Sequence, residues 1–101
     1  MESSLVMEKL TIHESRLVLH NFDEIATYYE TKQSGLGFRF ASYYYQQIEK
    51  LVDMPNMGRI GKIFGTRELV LQDFPYLVVY RIRKKHVQIL RLFHQQRKYP
   101  G

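Results

Sequence analysis

The residues best suited to proton transfer and anion binding lie at the C-terminal end of this chain. His94 is followed within five positions by Arg97, Lys98 and Tyr99. An imidazole can exchange a proton near neutral pH, and the two cations can bind phosphate or carboxylate groups. This basic and aromatic cluster therefore indicates contact with an anionic partner.

Positive charge is concentrated in the same half of the chain. Residues 1–54 carry five Lys or Arg against eight Asp or Glu, a net charge of −3, whereas residues 55–101 carry ten against two, a net charge of +8. Such a field attracts polyanions or an acidic protein, although a solvated basic surface that binds nothing has the same composition. The predicted contacts with a target or partner are these ten cations: Arg59, Lys62, Arg67, Arg81, Arg83, Lys84, Lys85, Arg91, Arg97 and Lys98.

Several kinds of site are not expected. The chain has no cysteine, so a disulfide framework and a thiolate site are excluded. His13, His20 and His86 have no metal-binding spacing, and no metal is predicted. The glycine-punctuated segment 54–66 lacks the Gly-Lys-Ser/Thr ending of a phosphate loop, so no nucleotide cofactor is predicted. That segment is instead interpreted as a flexible connector.

Length and composition predict one globular domain. The chain has 101 residues, of which 45% are hydrophobic and 25% charged, a balance typical of globular proteins. Residues 1–7 show no periodicity and are interpreted as a loose N-terminal extension. No apolar run reaches the roughly 18 to 20 residues of a membrane span, and no signal-peptide core is evident. A cytoplasmic protein without membrane contact is expected.

Two amphipathic helices are predicted ahead of the basic half. Apolar residues recur every three or four positions over residues 14–32, which predicts the first helix. The second is predicted over Leu36–Asp53, with Ser34 as its N-terminal cap and Pro55 beyond its end. The break between them is short, so the two helices should be antiparallel. Before them, the alternation around Leu10 and Ile12 predicts a short strand.

Three β-rich runs follow, over residues 67–71, 76–83 and 86–93. Pro75 marks the turn between the first two, and Lys84 and Lys85 form the tip of the hairpin between the last two. The predicted order is therefore β-α-α-β-β-β. This is an α+β fold in which a helical hairpin packs on a three-stranded antiparallel sheet that the N-terminal strand joins.

The hairpin also predicts which side chains share a face of the sheet. If Arg83 pairs with His86, an unbroken register places His94 on the same face as Arg81. The further pairs predicted on that face are Arg81–Gln88, Val79–Leu90 and Leu77–Leu92. The predicted opposite face carries Tyr76, Val78, Tyr80 and Ile82 with Val87, Ile89, Arg91 and Phe93. Both faces are largely apolar, so we expect the helices to cover one face and a partner chain to cover the other.

Four segments together resemble a known superfamily. They are residues 65–69 (GTREL), 75–81 (PYLVVYR), 87–91 (VQILR) and 94–100 (HQQRKYP). In this order, after a strand and two helices, they are similar to the successive motifs of the ParE/RelE superfamily of bacterial toxins. The resemblance covers nearly the whole chain and implies the toxin of a type II toxin–antitoxin system. It also implies a cognate antitoxin, which the local charge excess predicts to be acidic.

The resemblance leaves two targets open. Members similar to RelE cleave messenger RNA in the ribosome, and here Arg81, His94, Arg97 and Tyr99 would then supply the proton transfers and the positive charge. Members similar to ParE inhibit DNA gyrase. Several ribonuclease members carry an arginine where this chain has Leu77, and the spacing of its terminal motifs is more similar to the ParE branch. Gyrase inhibition is therefore favoured, with ribosome-dependent cleavage as the alternative.

Two further interpretations stay open at this stage. His94 and Arg97 can be structural, the first hydrogen-bonded at a strand end and the second paired with a helix carboxylate. Arg67 and Glu68 can likewise pair within the sheet. A basic module that binds nucleic acid or protein without toxicity is a third possible function, and its affinity for nucleic acid should fall steeply with salt.

Overall fold

The computed structural model describes residues 9–96. The predicted extension 1–7 and the cluster residues Arg97, Lys98 and Tyr99 lie outside the described residues. The elements in chain order are β1 Thr11–Glu14, α1 Arg16–Lys32, α2 Leu36–Asp53, β2 Arg59–Ile60, β3 Arg67–Val70, β4 Tyr76–Arg83 and β5 His86–His94. The α+β class and the predicted order are confirmed, and β2 is an additional short strand.

The first helix begins two residues later than predicted because Ser15 caps it. The Ser15 hydroxyl oxygen accepts the backbone N–H of Val18 at 2.9 Å, and Glu14 belongs to β1. Ser, Thr, Asp and Asn are preferred at this position because their side chains satisfy otherwise unpaired N–H groups. Strand β1 is thus followed directly by the helix that packs on the sheet.

The predicted cap of the second helix is wrong. The residue before α2 is Gly35, at φ +88°, and no side chain at that position caps the helix. The carboxylate of Glu30 in α1 performs this task, accepting the N–H groups of Gly35 at 2.9 Å and Gly37 at 3.0 Å. The positive φ explains why glycine occupies position 35. One side chain therefore joins the end of α1 to the start of α2.

The helical hairpin covers one face of the sheet. The main core joins Val18 of α1 and four fully buried α2 side chains to residues from β3, β4 and β5. Within the tyrosine run 43–45, Tyr44 is buried, Tyr45 is 39% exposed and Tyr43 lies between. The hydroxyl of Tyr43 accepts the N–H groups of Gln72 and Asp73, so this side chain supports the turn between β3 and β4. The three rings thus have different environments because successive helical residues point about 100° apart.

The sheet has the strand order β1-β5-β4-β3-β2. β1 pairs with β5 in parallel, and the other neighbouring strands are antiparallel. The predicted joining of the N-terminal strand to the sheet is confirmed. The interpretation of 54–66 as a flexible connector is wrong in its central part, because Arg59 and Ile60 pair with Glu68 and Arg67.

The predicted register between β4 and β5 holds for only half of the hairpin. Arg83 pairs with His86 and Arg81 with Gln88, as predicted. Beyond Tyr80 the register shifts by one residue, so that Val79 pairs with Arg91. Leu90 is the extra residue of a β-bulge. The predicted pairs Val79–Leu90 and Leu77–Leu92 are therefore wrong.

Polar side chains of the first helical segment satisfy the backbone around the bulge. The Ser15 hydroxyl donates to the Leu90 carbonyl at 3.0 Å, and the Asn21 side-chain oxygen accepts the N–H of Leu92 at 3.2 Å. Buried backbone groups that leave a β-ladder need such partners. The helix thus stabilises an irregularity that strand periodicity could not reveal.

The bulge also changes the face on which the end of β5 lies. Val78 pairs with Leu92 in the main core, whereas Leu77, Val79 and Phe93 form a second buried cluster. Placing Phe93 and Arg91 on the face of Val78 was therefore wrong. Placing His94 with Arg81 was wrong for the same reason, because His94 pairs with Tyr76.

Candidate functional site

Arg81 and His94 do not lie at one site. His94 on β5 lies opposite Tyr76 on β4. Arg81 is five positions after Tyr76 on β4, and because side chains alternate along a strand, this odd number places Arg81 on the other face of the sheet. Five residues of strand also separate the two positions by about 17 Å. The described members of the predicted catalytic set are thus kept apart by the sheet itself.

Each of these two side chains has local partners. The Arg81 Nε donates to the Gln88 side-chain oxygen at 2.6 Å. The His94 ring contacts Tyr76 edge-on, with ring centroids 5.4 Å apart, and its Nδ1 accepts the N–H of Gln96 at 3.1 Å. His94 is therefore hydrogen-bonded at a strand end, one of the two roles that the sequence left open. The other two candidates, Arg97 and Tyr99, lie outside the described residues.

Gln95 holds the end of β5 in place. Its backbone N–H donates to the Pro75 carbonyl at 2.9 Å. Its side-chain amide contacts the carbonyls of Leu71 and Tyr76 at 3.2 and 3.3 Å. Gln95 thus fastens the end of β5 to the turn between β3 and β4. Gln95 belongs to no motif that would indicate this role, so it could not be predicted from the sequence.

The hairpin tip between β4 and β5 is a cationic corner. Arg83, Lys84 and Lys85 are all exposed, and Lys84 adopts a left-handed backbone conformation with φ 56°. The Lys85 carbonyl accepts the N–H of Thr11, which attaches the corner to β1. The predicted two-residue turn is confirmed. Of the predicted binding cations within residues 9–96, these three form a contiguous exposed group.

Two imidazole rings stand next to this corner. His13 and His86 are stacked with ring centroids 4.6 Å apart and an interplanar angle of 9°. The Thr11 hydroxyl oxygen lies 2.7 Å from the His86 Nδ1. The pair adds an aromatic surface to the cationic corner.

Arg59, Lys62 and Arg67 belong to a second group of cations with a different environment. Both the Nε and one terminal nitrogen of Arg59 lie 2.9 Å from the same carboxylate oxygen of Glu68, and the other oxygen accepts the Lys62 N–H at 3.2 Å. Glu68 is only 2% exposed. Arg67 donates to the Gly58 carbonyl at 2.6 Å and more weakly to that of Asn56. Glu68 therefore pairs with Arg59.

Tyr80 completes this network. Its hydroxyl accepts the N–H of Gly58 at 2.9 Å and donates to the Pro55 carbonyl at 2.7 Å. Burial raises the pKa of Tyr80, so the phenol stays protonated at neutral pH. A Cβ on Gly58 would lie 2.7 Å from the Tyr80 ring and hydroxyl, which explains the glycine. Buried polar groups therefore hold segment 54–66, which was predicted to be flexible, in a defined conformation.

Arg91 is placed by the bulge next to the second apolar cluster. Its guanidinium lies 5.7 Å from the centre of the Phe93 ring, within the range of a cation–π interaction. Its Nε is buried and has no hydrogen-bond partner among the described residues. Arg91 is thus partly desolvated, unlike the three cations of the corner.

A groove that the sequence did not reveal lies between α1 and the paired ends of β4 and β5. It has a volume of about 490 Å³. Its lining includes Asn21, Glu24, Tyr28, Tyr29, Tyr76 and His94. Burial and the neighbouring Tyr76 raise the pKa of Tyr29 to about 12, so its phenol is a neutral hydrogen-bonding group. Helical spacing and strand register together create this aromatic concavity, so neither pattern alone could predict it.

No clusters of three or more His, Cys, Asp or Glu side chains able to hold a metal occur in the part of the chain that the structure describes. Within residues 9–96, neither helix is long and apolar enough to cross a membrane. The described surface therefore presents a cationic corner, an aromatic groove and a fastened hairpin between β2 and β3. This arrangement is suited to binding another macromolecule.

Comparison with known proteins assigns the class. The family described as "ParE toxin of type II toxin-antitoxin system, parDE" matches residues 13–99. A protein of Sinorhizobium fredii (strain NBRC 101917 / NGR234) named "Putative toxin Y4kP" is 34% identical over 94 residues, covering 93% of this chain and 97% of that protein. A solved structure titled "Chromosomal ParDE TA system from P. aeruginosa" has the same fold, with a TM-score of 0.76 and 24% identity over 84% of this chain and 95% of that one. The chain belongs to the ParE toxin family of type II toxin–antitoxin systems.

Proposed function

We propose that this toxin acts by inhibiting DNA gyrase and that an acidic antitoxin holds it inactive. The main support is that Arg81 and His94 lie about 17 Å apart on opposite faces of the sheet. Family membership allows either target that the sequence left open. The geometry of the sheet favours gyrase as the target, because inhibition of gyrase needs no ribonuclease centre.

The physical argument concerns the reach of catalytic groups. Cleavage of RNA by its own 2′-hydroxyl requires a proton acceptor, a proton donor and positive charge within about 3 Å of the reacting atoms. Two groups about 17 Å apart on opposite faces of a sheet cannot contact the same phosphate. Arg81 and His94 thus cannot form a shared catalytic centre.

Leu77 gives independent support. It is 4% exposed and packs with Val79 and Phe93 in the second apolar cluster. Several ribonuclease members of the superfamily carry an arginine at the corresponding position. Here an arginine would bury its charge in an apolar cluster, which is costly without a partner. The surrounding packing therefore suits leucine.

The antitoxin proposal rests on two described surfaces. Arg83, Lys84 and Lys85 offer exposed positive charge to acidic side chains. The groove beside Tyr28 and Tyr76 offers a concave aromatic surface to a partner's apolar side chains. Charge complementarity of this type accelerates association and weakens with salt. An antitoxin whose toxin-binding segment was basic would contradict this proposal.

The deciding experiment compares both targets with one folded preparation. Purified protein is titrated into a gyrase supercoiling assay and a gyrase cleavage-complex assay, with preformed toxin–antitoxin complex as the inactive control. The same protein is added to ribosomes programmed with a defined messenger RNA. Inhibition of gyrase with intact messenger RNA is the expected result. Messenger RNA cleavage with unaffected gyrase would establish the ribonuclease alternative instead.

A further inference from the structure

The β2–β3 hairpin displays apolar side chains in solvent. Phe64 is 101% exposed, Ile60 73% and Ile63 51%. We call Ile60, Ile63 and Phe64 the apolar tip. Contiguous exposed apolar side chains in a small protein indicate an interaction surface. Neither the fold nor the buried core requires these three residues to be apolar.

The apolar tip is held in a defined conformation. The Gly61 N–H donates to the Thr66 carbonyl at 2.8 Å, and both the N–H and the hydroxyl of Thr66 donate to the Ile63 carbonyl. Beneath the tip, Glu68 binds Arg59 and the Lys62 backbone N–H. An exposed loop that is fixed before binding loses less conformational entropy when it binds. The buried polar network therefore supports a surface whose own side chains are not buried.

The charge around the tip indicates its kind of partner. Lys62 and Arg67 lie in or beside the hairpin together with Arg59, whose charge Glu68 offsets, and the Lys62 side chain is exposed. A second copy of this chain docked tip to tip would bring like charges together, which disfavours binding. An apolar pocket with acidic groups at its rim complements both the apolar side chains and the cations.

The tip and the groove also suit partners of different shape. The groove lies beside β5 and the tip beyond β3, about three strand spacings or 14 Å away across the sheet. A groove accommodates an extended or helical segment, whereas a projecting Phe64 side chain fits a pocket in a larger folded protein. We propose that the apolar tip inserts into an acidic-rimmed apolar pocket of the toxin's target protein. This inference rests on the proposed function, in which that target is gyrase.

The test compares two exposed phenylalanines. Phe64→Ala removes the centre of the tip, and Phe38→Ala is the matched control, because Phe38 is 75% exposed on α2. Both variants should keep the wild-type thermal midpoint because neither side chain is buried. Binding to purified gyrase, inhibition of supercoiling and binding to the antitoxin are measured for each protein, together with growth inhibition on expression without antitoxin.

For Phe64→Ala we expect gyrase affinity to fall at least about 30-fold, the effect of losing a central interface residue. Antitoxin affinity should remain within about twofold, and Phe38→Ala should match the wild type. Phe64→Leu should retain most of the affinity. Lys62→Glu should weaken gyrase binding and reduce its sensitivity to salt, since a cation facing acidic groups is reversed.

The outcomes separate this inference from the proposed function. If wild-type protein inhibits gyrase and Phe64→Ala is equally effective, the inference about the tip is wrong and gyrase inhibition stands. If wild-type protein leaves gyrase unaffected, the proposed function is wrong, and growth inhibition then tests the inference about the tip. Loss of growth inhibition in Phe64→Ala alone would support target binding by the tip. Equal growth inhibition by Phe64→Ala and the wild type would overturn the inference. Dissociation of a wild-type dimer by Phe64→Ala with full toxicity would instead make the tip a self-association surface.

Discussion

Replacement of Tyr80 by phenylalanine should destabilise this toxin far more than the loss of one oxygen atom suggests. The Tyr80 side chain is fully buried, and its hydroxyl joins the Gly58 N–H to the Pro55 carbonyl. Phenylalanine preserves the ring and its packing. The variant therefore isolates the contribution of the hydroxyl group.

The magnitude follows from the two groups left behind. Gly58 is buried, so its N–H would lose its partner without access to water, which costs about 1–3 kcal/mol. Pro55 is partly exposed, so water can replace some of the lost bond to its carbonyl. We expect the free energy of unfolding to fall by about 2–3 kcal/mol. For a domain of this size, that corresponds to a decrease in Tm of roughly 10–20 °C.

Equilibrium unfolding in urea, followed by far-ultraviolet circular dichroism, measures the change. Tyr28→Phe is the control, because Tyr28 is 52% exposed and its substitution should alter stability by less than about 0.5 kcal/mol. Equal m-values would show that the comparison concerns the same transition. A loss below about 0.5 kcal/mol for Tyr80→Phe would refute the assignment of the hydroxyl as a support of the β2–β3 hairpin.

Three further predictions concern other contacts. Glu30→Ala should lower the free energy of unfolding by about 1 kcal/mol because α2 loses its cap, whereas exposed Glu49→Ala should have little effect in the same urea titration. The raised pKa of Tyr29 means that its protonated form favours the folded state. The contribution of Tyr29 to the free energy of unfolding should be constant below pH 10 and be lost toward pH 12, so the alkaline decrease in stability should be measurably smaller in Tyr29→Phe; an identical alkaline slope in both proteins would contradict this. Lys84→Glu combined with Lys85→Glu should slow antitoxin association at least about tenfold at low salt, and a salt-independent rate would refute the electrostatic role of the corner.

The sequence predicted the framework of this toxin because its framework depends on local patterns. Apolar residues spaced three and four apart identified both helices, and alternation identified β1 and the three main C-terminal strands. The turn at Lys84 and Lys85 was also predictable from two residues between β-rich runs. Each of these signals lies within about twenty neighbouring residues.

The main errors arose where distant groups satisfy the backbone. A strand pattern has the same period with or without a single extra residue, so Leu90 could not be recognised as a bulge. Its carbonyl is bonded by Ser15, which lies 75 residues earlier. The predicted placing of Arg81 and His94 on one face depended on the unbroken register and is wrong.

The connector shows the same limit in another way. Glycines and cations over residues 54–66 are typical of a flexible loop, and the two-residue strand β2 is too short to give a pattern. Its order comes from Glu68 and Tyr80, which belong to β3 and β4. Exposure of Phe64 is likewise decided by the whole fold, because an apolar residue in sequence is expected to be buried.

By itself, the sequence determined the class of fold, the concentration of positive charge and the motifs shared with the toxin superfamily. These properties are set by residue type and short-range spacing. The tertiary structure alone decided which charged groups meet, which are neutralised by a buried partner and which apolar side chains stay in solvent. Those outcomes depend on contacts across the sheet, where one bulged residue exchanges the two faces and thereby places Arg81 and His94 on opposite sides.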